Sequence, residues 1–272
     1  NSFVGSLALN MGTLTLTGTN AQGAGAISIG NAANSNAILR IAGNGAIVSG
    51  TGAFRVGYNS GAAGACYLTG GVVTRNAGTG DVSLGIGMVN NGAYGYFYMN
   101  GGAYTNSGRM NMAGSDIRVC TGIARIAGGS MQIGEYILVA RTNGCVAVLT
   151  VEGGTLSHVG ASQNITLAHR GGRGELNLTG GLLDNSGLSV SVRQGALREA
   201  TGVVNVCKGT LAANMVTNYG ATAWLNFNGG TLKASANTLA FVNPSLTRVT
   251  VNGAYGPFAA GATIDTAGKN VT

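Results

Sequence analysis

The residues able to do chemistry are few and scattered. In 272 residues there are four cysteines, two histidines, eight carboxylates and fifteen lysines or arginines. The cysteines are Cys66, Cys120, Cys145 and Cys207. None forms a Cys-x-x-Cys pair or the Cys/His spacing of a zinc site. The acids are Asp81, Asp116, Glu135, Glu152, Glu175, Asp184, Glu199 and Asp265. Glycoside hydrolysis needs two carboxyls at a set separation. Cleavage of acidic polysaccharide needs clustered carboxylates for Ca²⁺ and a Lys or Arg base. No two of these acids share a position in the repeat described below, so neither set is evident. His158 and His169 lack a G-x-S-x-G nucleophile turn to serve. His169, just after Ile165-Thr-Leu-Ala, reads as a surface residue at a turn. Gly171-Gly-Arg-Gly lacks the Lys-Ser/Thr of a phosphate loop. The expectation is a protein without enzymatic activity, metal or cofactor.

Two groups suit binding better. Arg141 and Arg170 each follow a short apolar run, one period apart, and Arg173, Arg193 and Arg198 continue the region. They form either a positive stripe for an anionic glycan or a solvated face that keeps a charge-poor chain soluble. Tyr94, Tyr96, Tyr98 and Tyr104 crowd the stretch around Gly92-Ala-Tyr-Gly-Tyr-Phe-Tyr. Outward aromatics can stack on sugar rings or fill a protein interface; equally, they can stack on one another.

What must position these side chains is a repeat. GELNLTGGLLD, from Gly174 to Asp184, returns as CYLTGGVVT, FYMNGGAYT, ARIAGGSMQ, LTVEGGTLS and WLNFNGGTLK. The double glycine begins at Gly70, Gly101, Gly128, Gly153, Gly180 and Gly229, with looser copies near Gly18, Gly43 and Lys208. A second register runs through Ile27-Ser-Ile, Phe54-Arg-Val, Val82-Ser-Leu, Met110-Asn-Met, Ile137-Leu-Val and Ile165-Thr-Leu, every 27 or 28 residues. Alternating apolar residues mark short strands, and Gly/Asn/Ser clusters mark turns. Hairpin sheets do not require one motif to return at fixed phase. A β-solenoid does, because each repeat is one coil and equivalent residues stack.

The fold class predicted is therefore all-β: a parallel β-helix of nine or ten coils, each of about 25–28 residues, forming one array over residues 1–272. Two and four residues before the double glycine the chain is apolar: Leu39 and Ile41, Cys66 and Leu68, Phe97 and Met99, through to Leu225 and Phe227. These positions should face inward, and Thr150, Asn177 and Asn226 between them outward. The glycines should make the coil corners, through positive φ or close backbone approach. Cys120 and Cys145 each lie eight residues before a double glycine in consecutive coils. Stacked Cα atoms about 5 Å apart are within disulfide range. The pair is either a rung-to-rung disulfide of an exported protein or two thiols in one ladder. Cys66 reads as a small buried hydrophobe.

Composition narrows the class. Forty-five per cent of residues are apolar and only 8% charged, against roughly 25% in an average domain. The net charge of +7 comes from a shortage of acids rather than from basic runs, which argues against nucleic acid. No apolar run approaches the ~20 residues of a membrane helix. The start, Asn1-Ser-Phe-Val-Gly, has neither the basic nor the apolar region of a signal peptide, so the chain reads as a fragment or mature piece of a larger repeat protein.

Three stretches resemble the autotransporter-associated β-strand repeats of large secreted or surface proteins of planctomycetes, verrucomicrobia and other Gram-negative bacteria. They are Gly12-Thr-Leu-Thr-Leu-Thr-Gly-Thr-Asn20, Phe227-Asn-Gly-Gly-Thr-Leu-Lys233 and Gly261-Ala-Thr-Ile-Asp-Thr-Ala-Gly-Lys-Asn-Val-Thr272. The resemblance implies a parallel β-helix, export, and a structural or adhesive role; it brings no catalytic residues. Four cysteines depart from such passengers, which are often poor in Cys. The expectation is an extracellular or cell-surface structural rod that self-associates through its open ends. An adhesin binding glycans or the cell envelope through the Tyr/Arg face comes second, and a polysaccharide-active enzyme third.

Overall fold

The computed structural model describes residues 5–20, 25–43, 46–76, 82–88, 91–114, 119–160, 164–185, 190–193, 199–251 and 261–272; for 19, 20, 47, 82, 83 and 190–193 it describes backbone alone. The chain is an all-β parallel solenoid, and each coil contributes up to three strands.

On the first face nine short strands lie in register: Leu7–Leu9, Ile27–Ile29, Phe54–Val56, Val82–Ile86, Arg109–Met112, Ile137–Val139, Ile165–Leu167, Val190–Arg193 and Val216–Tyr219. The second face runs from Gly12–Leu16 through Asn36–Ile41, Ala63–Leu68, Val146–Val151, Arg173–Leu178, Thr201–Val206 and Thr222–Phe227 to Arg248–Val251. The third runs from Thr19–Asn20 to Thr263–Asp265. Two long strands, Tyr94–Asn106 and Thr121–Ile133, serve both the second and third faces and slip register beside their glycines. Every strand pair is parallel and joins consecutive coils.

The solenoid amounts to about seven turns, slightly fewer than the nine or ten expected. Seven turns, beginning at Ile27 through Val190, have strand neighbours on both sides on all three faces. Beyond them the turn from Leu7 is paired on one side only, and the turn from Val216 lacks a second strand neighbour on its first face, so counting repeats overstates the complete turns. A second departure lies in the first face. Leu84, not Val82, stacks between Phe54 and Met110, so the strand sits two residues away from where the 28-residue spacing put it. A strand of strictly alternating residues gives no sign of such a two-residue slip.

The inward rows are where the periodicity put them. Leu39, Ile41, Cys66, Leu68, Phe97, Met99, Ala124, Ile126, Leu149, Val151, Leu176, Leu178, Val204, Val206, Leu225 and Phe227 are all buried. Each large side chain so removed from water contributes about 1.5–3 kcal/mol. A third inward row holds only small residues: Ala37, Gly64, Gly95, Gly122, Ala147, Gly174, Gly202 and Ala223. Here the backbone leaving the first face crosses close by. A Cβ on Gly122 would stand 2.8 Å from Ala113 N, and one on Gly174 2.9 Å from Ala168 N.

The double glycines are the corner between the second and third faces. In most coils the second glycine carries the positive φ, as at Gly71 (78°), Gly129 (80°), Gly154 (66°) and Gly181 (65°). In the last coil it is Gly229 (99°). These corners stack so tightly that a Cβ on Gly181 would lie 2.6 Å from Gly154 O. Both requirements, left-handed φ and backbone contact, admit only glycine.

Candidate functional site

The outward side of the second face carries the most organised polar and aromatic surface. One row, three residues before each glycine corner, reads Arg40, Tyr67, Tyr98, Arg125, Thr150, Asn177, Asn205, Asn226 and Thr250. The pleat turns these side chains away from the core, and parallel register places each over the next at the strand spacing of about 4.8 Å.

The row has two halves. In the first, the Arg40 guanidinium lies 4.7 Å over the Tyr67 ring, and Tyr67 meets Tyr96 at 5.8 Å and Tyr98 at 6.1 Å. Arg125 then covers Tyr98 at 5.6 Å and donates to both carboxylate oxygens of Glu152, at 2.7 and 2.9 Å. That fork holds the Arg125 guanidinium protonated well above its ordinary range, chiefly through the Glu152 hydrogen bonds. In the second half, amides take over. Asn226 Nδ2 donates to Asn205 Oδ1 and Asn205 Nδ2 to Asn177 Oδ1, both at 2.7 Å. Asn177 and Asn205 are buried although they sit on the outer side. Trp224, one position over from this row, is capped by Arg248 at 5.0 Å.

Of the four expected tyrosines, Tyr96 and Tyr98 lie in this aromatic half, and Tyr94 is exposed at the start of the same strand. Tyr104 does not belong to any face outside. It points inward from the third face and packs edge-on against Phe97 at 5.6 Å and Phe54 at 6.0 Å. Passing the glycine corner switches which residues point in, and Tyr104 falls on the inner parity. Arg40, Tyr67, Arg125 and Trp224 were not singled out from sequence. Reading the column three before the corner, rather than the tyrosine-rich segment, finds the first three.

The arginine group is less continuous than its phases suggest. Arg170 bridges Thr142, and His169 N donates to Ala140 O, so Arg141 and Arg170 are one step out of register. Arg141 is half-buried, whereas Arg170 and Arg173 are exposed. Arg193 pairs by its backbone with Tyr219, and its side chain lies outside the described residues, as does Arg198.

Among the buried polar groups, Arg75, His158 and the Cys120/Cys145 pair are the titratable ones of interest. Arg75, expected nowhere, is fully buried at the end of a third-face strand. Its Nε donates to Gly52 O at 2.9 Å and its Nη2 to Gly25 O at 2.8 Å and again to Gly52 O. One guanidinium thus ties together corners of two earlier coils. Burial pulls its pKa down, and Tyr104 opposes this. His158 is also fully buried, and burial lowers its pKa from the ordinary 6.5. Cys120 and Cys145 are buried with their sulfurs 3.2 Å apart, and Val146 N donates to Cys120 O at 3.0 Å. The Thr142 hydroxyl stands 3.2 Å from Cys145 Sγ. The contact with Cys120 pulls the Cys145 thiol down, with burial opposing and Thr142 assisting, while Cys120 is pushed up. Cys66 is a core residue of the second face, and burial raises its pKa.

Among the described residues, no three of His, Cys, Asp and Glu lie together as a metal site would require. Asp81 and Asp116 lie outside the described residues. Comparison with protein-family models, curated proteins and solved structures found no match.

Proposed function

We propose that this chain is a structural element: a stiff β-solenoid rod of an extracellular or surface fibre, extended by stacking of further coils on its ends. The observation that carries the reading is the state of the last rung. Val249, Val251 and Ile264 continue the inward rows or lie in their strands, yet are 44%, 53% and 53% exposed. The residues they stack on, Leu225, Phe227 and Leu232, are buried. At the other end Met11 is exposed and Leu7, Leu9 and Leu14 are only partly covered. Among the described residues, both ends therefore present apolar rows beside strand edges that no further strand pairs, which favour one more parallel strand per face. The repeat's resemblance to passenger-type arrays supports the same role, export included. A rod of this kind needs no cofactor.

Sedimentation tests this. The chain should associate with rising concentration, and Val251→Lys, which places a charge on the end row, should hold it monomeric. Concentration-independent monomers of the unsubstituted chain would oppose the reading.

A second reading rests on the outward row. Tyr67, Tyr96 and Tyr98, flanked by Arg40 and Arg125, make an outward aromatic strip of rings tilted by 55° and 63° to one another, whose edges and faces suit an extended glycan. Loss of saturable glycan binding in Tyr67→Ala would favour it.

A further inference from the structure

We propose that Cys120 and Cys145 are a paired oxidation site, closing to a disulfide that staples two consecutive coils in the middle of the rod. The two residues are 25 apart in sequence, one coil's length, and directly precede paired strands, Thr121 stacking on Val146. Their sulfurs already stand 3.2 Å apart, so a rotation of each side chain suffices to bring them to bonding distance. The backbone is held at that spacing by the hydrogen bond from Val146 N to Cys120 O. Space is kept by Gly114, where a Cβ would stand 3.0 Å from Cys145 Sγ.

The surroundings distinguish this pair from the other thiols. Cys66 is packed within an apolar row between Leu39 and Phe97. Cys207 is buried, with the Asn228 amide 3.9 Å from its sulfur. Among the described residues neither has a sulfur neighbour to join. Cys145 Sγ has two polar neighbours at 3.2 Å, Cys120 Sγ and the Thr142 hydroxyl, and either can donate to it as the thiolate, the attacking species. It also lies beside a turn whose Asn143 and Gly144 are exposed, so a local opening admits a small reagent.

The oxidant is a small-molecule disulfide. The Cys145 thiolate attacks one of its sulfurs, forming a mixed disulfide and releasing one thiolate. Cys120 then attacks Cys145 Sγ, and the second small thiolate leaves. Two protein S–H bonds are lost and one S–S bond forms. The reagent takes up two electrons, and the two protons end on the released thiols. The bond closes a loop of one coil, so its gain comes from restricting the unfolded chain.

The test uses the folded, reduced chain exposed to oxidised glutathione, then denatured, alkylated and weighed. The proposal expects a mass loss of about 2 Da, two alkylated cysteines, and one cross-linked peptide pair, Cys120 with Cys145. The oxidised form should melt about 5–10 °C above the reduced one, and Cys120→Ser should abolish that difference. Four alkylated cysteines, a persistent glutathione adduct, or a cross-link through Cys66 or Cys207 would overturn it.

Discussion

Arg75 and His158 show what single residues cost this core. Arg75 satisfies two corner carbonyls at once through different nitrogens of one planar group. A lysine has one compact ammonium and cannot span both. Arg75→Lys should therefore lose about 1–3 kcal/mol, read as a lower urea midpoint at unchanged slope. His158 gives a pH dependence. Burial lowers its folded pKa below the ordinary 6.5. In that window the unfolded chain binds a proton that the folded chain refuses. The contribution of neutral His158 is thus complete above about pH 6.5 and is lost as pH falls toward the folded value. Melting temperature should fall from pH 7.5 to 5.5, and His158→Leu should flatten that part of the profile. Neither role was legible from sequence. Arg75 and His158 sit at the ends of third-face strands, where the glycine corner resets parity; the new phase is marked only by the single row Val73, Met131, Leu156, Leu183, Leu211 and Leu232, and each of the two polar residues lies two places beyond it.

At the scale of the element, the corner and the strand explain what sequence could reveal. Apolar residues two and four before the glycines specify the second face because a stacked row must be apolar at every level or fail at all of them. The small-residue row was equally regular, at Gly64, Gly95 and Gly122, but glycine in a strand reads as a turn signal and hides it. Tyr104 was misplaced for the reason given above: one corner inverts inside and outside. Register slips such as that between Val82 and Leu84 leave no compositional trace. The corner itself makes a sharp prediction. Gly181→Ala must adopt φ near 65° and put a methyl 2.6 Å from Gly154 O. Gly268 has φ 72° but open space around it. Gly268→Ala should cost about 1–2 kcal/mol from conformation alone. Gly181→Ala should cost more, because the stacked backbone must also move, and comparing the two denaturation midpoints isolates that excess.

For the whole molecule, cohesion runs along the axis. Three parallel ladders, inward apolar rows, an outward Tyr/Arg/Asn row and the stacked glycine corners all repeat at one spacing. Ion pairs add little: Arg109–Glu135 and Arg125–Glu152, the two among the described residues, are partly exposed. A body built this way has no level at which stacking must stop, and its end rows remain apolar. The most direct measurement is electron microscopy of the concentrated chain. Fibres of one rod's width, with an axial repeat of roughly 40 Å from nine stacked strands at about 4.8 Å, are the result this account predicts. Separate short rods at every concentration would contradict it.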